Sequence, residues 1–133
     1  MTGPDGQIGS LGMTDERDEA PLLALSEARH GSVVVLSAVG EVDVATGPQL
    51  RAALADALGE EGVDVVVVDL SGVTFMGSTA IAVLVDAHWE AGQAGKSLRL
   101  VSGESRSVMR PLEAAGVATM FAEYADVEKA LRG

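Results

Sequence analysis

The stretch Val65–Val85, VVVVDLSGVTFMGSTAIAVLV, changes its period half-way along. Its first part belongs to VDVVVVDL (residues 63–70), a β-branched run with no polar alternation. A strand exposed on one face alternates, so this run reads as a central strand covered on both. A short polar loop follows. Ile81, Leu84, Val85, His88 and Trp89 then recur at helical spacing, which predicts a helix ending near Gly92 or Gly95. A strand running through a short loop into a helix is the repeating unit of α/β domains. At the crossing stand two adjacent hydroxyls, Ser78 and Thr79.

Reading upstream, PLLALSEA (21–28) and SVVVLSAVG (32–40) predict a strand pair with Arg29-His30-Gly31 as the turn. Thr46 and Gln49 have the spacing of a capping box, with Pro48 in the first turn of a helix. Leu50, Ala53, Leu54, Ala57 and Leu58 form its apolar stripe, and Gly59 and Gly62 end it. Downstream, SLRLVS (97–102) predicts a strand. ESRSVMRPLEAAG (104–116) predicts a helix whose start Pro111 kinks or shortens. VATMFA (117–122) predicts a short strand, and DVEKALRG (126–133) a last helix capped by Asp126. The expected architecture is an α/β domain over residues 21–133, with a mixed sheet and about four helices. The polar, Gly-rich residues 1–20 lack periodicity and are expected to be a disordered lead-in, with Met13 an alternative start.

Composition narrows the functional classes. The 133 residues are 47% hydrophobic but only 3% aromatic, so the core must be aliphatic. The formal net charge of −11 argues against nucleic acid and against an anionic membrane surface, and favours a protein partner with a basic face. With no cysteine, disulfides, thiol nucleophiles and Cys-ligated zinc are excluded. The described pattern has no secretory signal and no apolar run long enough to span a bilayer, so a cytoplasmic location is expected.

Catalytic motifs are missing too. There is no P-loop, no GxGxxG after a strand, no HExxH, and no clustered metal-ligand spacing. Ser78 lacks a GxSxG elbow. His30 falls in the expected turn, and His88 lies ten helical residues beyond Ser78, roughly 15 Å away. Neither a cofactor nor enzymatic activity is expected. Ser78 itself admits two compatible readings. As an N-cap its oxygen would accept a first-turn N–H, worth about 1 kcal/mol. As a hydroxyl beyond the carboxyl end of a central strand it stands where open α/β sheets place functional groups. A phosphate added there would be favoured by the helix dipole and would add about −1.5 to −2 charge to a binding surface. Asp43 reads either as a loop cap beside Thr46 or as an interface residue, Asp69 as the cap of its own loop, and Trp89 as a core-edge residue.

Two motifs carry a family resemblance: Gly40-Glu41-Val42-Asp43 with Thr46, and Asp69-Leu70-Ser71-Gly72-Val73-Thr74-Phe75 running into Ser78. In this order and spacing they resemble the STAS domain, shared by sulfate transporters and anti-sigma factor antagonists. The free-standing format is similar to the bacterial antagonists. The resemblance implies partner switching in transcription regulation. The antagonist binds an anti-sigma factor that is a serine kinase with a histidine-kinase-like ATPase fold, and the sigma factor is released. Phosphorylation of a loop serine, aligned here with Ser78 and less well with Thr79, ends the binding. A PP2C-type phosphatase restores it. The implied partner-binding residues are Glu41, Asp43, Thr46, Gly77, Ser78, Thr79 and Ile81.

The family usually reads Asp-Ser-Ser/Thr-Gly-Leu-Gly where this chain has Gly77-Ser78-Thr79-Ala80-Ile81-Ala82. The acid before the serine is gone and both glycines are alanine, each worth roughly 1 kcal/mol of helix propensity. Two other readings remain: a non-switching STAS scaffold or subunit of a transport or stress-signalling assembly, and a small-molecule or nucleotide sensor. The sequence displays no basic or Gly-rich phosphate cradle for the latter.

Overall fold

A computed structural model describes residues 22–104 and 106–133. The expected lead-in of residues 1–20 lies outside them. Five strands, β1 (Leu23–His30), β2 (Val33–Val42), β3 (Val65–Met76), β4 (Ser97–Val101) and β5 (Ala122–Tyr124), form one sheet. Their spatial order is the chain order. β1 and β2 pair antiparallel as a hairpin, and the other three pairings are parallel. The helices are α1 (Gly47–Leu58), α2 (Ser78–Gln93), α3 (Arg106–Ala114) and α4 (Val127–Arg132). The first three each bridge one parallel pair, as parallel strands require.

The valine run of β3 is explained by what lies on each side of it. Val66, Val68 and Leu70 enter the main core with Leu50 and Leu54 of α1, Leu84 of α2 and Leu112 of α3. Val67 points the other way, into a smaller cluster with Val35, Val101 and Ala130 of α4. Side chains alternate across a strand, so a strand buried on both faces has no polar position to offer. Each fully buried valine contributes roughly 1.5–3 kcal/mol.

The structure corrects several sequence expectations. Arg29 and His30 belong to β1, and the turn is Gly31-Ser32. β3 does not end at Leu70 but runs to Met76, pairing irregularly with β2. The register shifts between Ser37 and Val39 and again between Gly40 and Glu41. Such bulges let a strand absorb polar residues without stopping. Gly72 sits at one of them, where a Cβ would stand 2.9 Å from Val39 Cγ2.

The buried stripe of α2 is Ala80, Val83, Leu84, Ala87 and Ala91; of the expected Ile81, Leu84, Val85, His88 and Trp89, Leu84 is buried, Ile81 and Val85 pack partly buried against the same core, and Trp89 stands outside it. Alanines face inward because α2 lies close against α1 and the sheet, leaving Trp89 60% exposed rather than at the core edge. α3 accommodates Pro111 in its interior and continues to Ala114. Residues 118–120 form a 3-10 turn, and the last strand comes after it. Asp126 does cap α4, its Oδ1 accepting the Lys129 N–H at 2.8 Å.

Candidate functional site

The helix cap at the end of β3 is Gly77, not Ser78. Gly77 has the extended backbone of a cap (φ −88°, ψ −178°), and its carbonyl accepts the first N–H groups of α2 from Ala80 (3.0 Å) and Ile81 (3.3 Å). Ser78 is thus the first helical residue, a position from which its side chain makes no capping hydrogen bond. Its hydroxyl is exposed and has no hydrogen-bond partner among the described residues. It projects at the N-terminus of a 16-residue helix, whose first N–H groups lack intrahelical partners and favour negative charge.

The β2–α1 loop is built by Asp43 and Thr46. Asp43 Oδ1 accepts the N–H groups of Ala45 (3.0 Å) and Thr46 (3.3 Å). The Thr46 hydroxyl donates to the Glu41 carbonyl at 2.8 Å and accepts from the Asp43 N–H at 3.0 Å. The expected capping box is therefore absent. Thr46 stands at the cap position of α1, but its side chain turns back to close the loop and makes no cap bond. Thr46 is only 4% exposed, so it shapes this surface from beneath. Asp69 caps no loop, because β3 runs on through it; its Oδ1 accepts from the Ser71 N–H (3.0 Å) and hydroxyl (2.7 Å) within the strand.

The two loops are in contact. The Gly77 N–H donates to the Val42 carbonyl at 2.9 Å. The Thr79 methyl lies against Gly47, and Thr79 is half-buried. Of the two adjacent hydroxyl residues, Ser78 is the exposed one. Across from it Glu41, near the end of β2, is exposed, and Asp43, whose Cα stands 3.8 Å from where a Cβ on Gly77 would be, is partly so. Ile81 is half-buried and packs against the main core. Two residues that sequence reading missed complete the surface. Val44 is 79% exposed and Phe75 is 49% exposed. The Phe75 ring lies over Gly77, 3.5 Å from where a Cβ there would stand. Phe75 escaped notice because the bulged pairing of β3 breaks the alternation that would have assigned it a face. Exposed apolar groups beside polar ones are the make-up of a protein-binding surface.

His88 packs edge-on between Trp89 and Phe121, 5.6 Å from each ring. Among the described residues no three His, Cys, Asp or Glu side chains are placed to hold a metal ion, and no helix is long and apolar enough to cross a membrane.

Comparison with known proteins gives a consistent result. A family model described as the STAS domain matches residues 25–130. The chain is similar to the anti-sigma-F factor antagonist RsfB of Mycobacterium tuberculosis, with 32% identity over 114 residues, 84% of this chain and 88% of that protein. It is also similar to the anti-sigma-F factor antagonist RsfA of the same organism, with 36% identity over 107 residues, 77% of this chain and 80% of that protein. Among solved structures it resembles an anti-sigma factor antagonist from Mycobacterium paratuberculosis, with a TM-score of 0.76 and 26% identity, covering 83% of this chain and 92% of that one.

Proposed function

The chain belongs to the STAS domain family, and from that membership we propose that it is an anti-sigma factor antagonist switched by phosphorylation of Ser78. Its partner is an anti-sigma factor with a histidine-kinase-like ATPase fold. Unmodified protein binds that factor and frees the sigma factor. The kinase then transfers phosphate: Ser78 Oγ attacks the γ-phosphorus of ATP, ADP leaves, and the hydroxyl proton passes to a base on the kinase. A PP2C-type phosphatase hydrolyses the ester and resets the protein.

The observation that carries this reading is the state of Ser78. Its hydroxyl is exposed, unbonded among the described residues, and mounted at the start of α2. Because it does not cap the helix, modification removes no structural hydrogen bond. The phosphate would be held favourably by the helix N-terminus. Its charge would fall beside the Asp43 loop and the exposed Val44 and Phe75, where a partner would have to desolvate it. The fold therefore stays intact while the interface is lost.

One observation favours a second reading. Gly77 stands where the family pattern usually reads Asp, and a site without that charge suits a non-switching scaffold. Incubation with ATP and the anti-sigma kinase, followed by mass-spectrometric mapping, separates the two. Phosphate on Ser78, and none on Ser78→Ala, is expected. Stable complex formation with no phosphate on Ser78 would overturn the switch in favour of the scaffold.

A further inference from the structure

The strand order makes β1 and β5 the two edges of the sheet. β5 has three residues and offers little to pair with, whereas β1 has eight. The outer N–H and C=O groups of an edge strand are free to pair with another chain, and bulges, proline or lysine commonly guard them. β1, LALSEARH, has none of the three and pairs with β2 residue for residue from Leu23 to His30. Every residue from Ser26 to His30 is exposed.

A groove of about 200 Å³ lies between this edge and the flank of α1. Leu25, Leu36 and Ala53 give it an apolar floor, with Glu27 of β1 and Asp56 of α1 as its walls. Leu25 and Ala53 are half-buried against the main core. The volume is below the range of small-molecule sites, roughly 300–1,000 Å³, and suits a side chain instead.

The walls are negative. Glu60, one turn beyond Asp56, shares a hydrogen bond with Glu27. That bond, then burial, then repulsion from Glu60 and Asp56 hold the Glu27 proton more tightly than usual, with Arg29 opposing. The nearby cations are engaged elsewhere. Arg29 donates to the carbonyls of Gly31 (2.9 Å) and Glu61 (3.0 Å) and lies 3.5 Å from Glu60 Oε1. Lys96 is held by the carbonyls of Leu58 and Glu60. Among the described residues Asp56 has no cation within salt-bridge distance.

We propose that this groove takes an extended basic segment of a partner protein, which adds to the sheet as a further strand beside β1. An apolar side chain of the segment sits over Leu25 and Ala53, and a Lys or Arg lies at Glu27 and Asp56. In strand addition the main chain supplies affinity and alternate side chains supply specificity. A second copy of this chain is the poorer occupant, because each copy carries a net charge of −11. The proposal does not depend on the role of Ser78.

The test titrates the full chain, labelled with nitrogen-15, with three end-capped hexapeptides. One alternates lysine and valine, and one alternates glutamate and valine. The third is the lysine peptide with every backbone amide N-methylated, which keeps the charge but has no strand N–H to donate. Saturable shifts of the amides of residues 23–30 and 53–60 are expected with the lysine peptide, and at least about tenfold weaker binding with the other two. Asp56→Lys, an exposed helix position, should weaken the lysine peptide at least about tenfold and keep the melting temperature within about two degrees. Glu90→Gln, a carboxylate outside the groove, should change nothing. Equal binding of the lysine and glutamate peptides would overturn the proposal, and so would equal binding of the N-methylated form, which would show attraction by charge alone. Shifts centred on Phe75 and Val44, concentration-dependent shifts of β1 without peptide, which would place a second copy there, or no saturable shift at millimolar peptide would also overturn it.

Discussion

Thr79 and Gly47 touch across the two loops of the site: a Cβ on Gly47 would stand 2.5 Å from Thr79 Cγ2. Gly47 has an ordinary helical backbone and is needed for space, because it lets the start of α1 approach the start of α2. Gly47→Ala should therefore cost about 1–3 kcal/mol, the usual cost of overpacking. Thr79→Ser removes the methyl and keeps the hydroxyl. Chemical denaturation of the double variant should recover most of the loss, and strict additivity of the two changes would show that the contact is not the cause.

The β2–α1 loop hangs on one hydroxyl. Thr46→Val keeps the shape of the side chain but leaves the Glu41 carbonyl and the Asp43 N–H without their partner. A loss of about 1–3 kcal/mol is expected, since unsatisfied groups near a buried position carry their full desolvation cost. A denaturation midpoint equal to that of the natural sequence would refute this role.

Acid should stabilise the protein at one carboxyl. Glu27 binds its proton more tightly than an ordinary carboxyl, first through a hydrogen bond to Glu60, then through burial and repulsion from Glu60 and Asp56, with Arg29 opposing. Its folded pKa is raised above 4.5, so between that value and the raised one the folded state holds more protons than the unfolded chain. The stabilising contribution is complete below 4.5 and is lost as pH rises through the folded value. Glu27→Gln should raise the melting temperature by about a degree or two at pH 7 and leave it unchanged near pH 4. A gain that is equal at both pH values would refute the assignment.

The α/β class, the sheet and three of the helices were legible because periodicity reports burial directly. The valine run of β3 could be nothing but a doubly covered strand, and Asp126 sat alone before a helical stretch. Where the reading slipped, a tertiary contact outweighed a local pattern. Asp69, Ser71 and Gly72 look like a loop, yet bulges carry the strand through them. Thr46 and Gln49 have capping-box spacing, yet the loop carbonyl of Glu41 claims the hydroxyl. The larger side chains of α2 marked only part of its inner face, Leu84 with Ile81 and Val85 at its side, while close packing fills the rest with Ala80, Ala87 and Ala91. The motif residues of the site were readable, whereas Phe75 and Val44 depend on register and exposure that no spacing encodes.

Gly77 tests the chemistry of the acceptor loop. A Cβ there would meet Phe75 Cε2 at 3.5 Å, the Val42 carbonyl oxygen at 3.7 Å and Asp43 Cα at 3.8 Å, all ordinary contacts. Gly77→Asp should fold normally, with a melting temperature within a few degrees of the natural sequence. The new carboxylate would stand beside the acceptor hydroxyl and near Asp43. An acid at this position should speed phosphoryl transfer to Ser78 several-fold, making the natural protein the slower substrate. A time course with ATP and the anti-sigma kinase that is fast and complete for the natural sequence, and no faster for Gly77→Asp, would show that the kinase reads other parts of the loop.

The central claim is that charge at Ser78 decides binding without disturbing the fold. Calorimetric titration of the anti-sigma factor with the natural protein, Ser78→Ala and Ser78→Glu measures it. Binding by the natural protein and Ser78→Ala should agree within about twofold, and Ser78→Glu should bind at least about tenfold more weakly, a difference of 1.4 kcal/mol or more. All three should give the same melting temperature within a degree or two. Equal affinity for Ser78→Ala and Ser78→Glu would contradict the claim and leave Ser78 as no more than the first residue of α2.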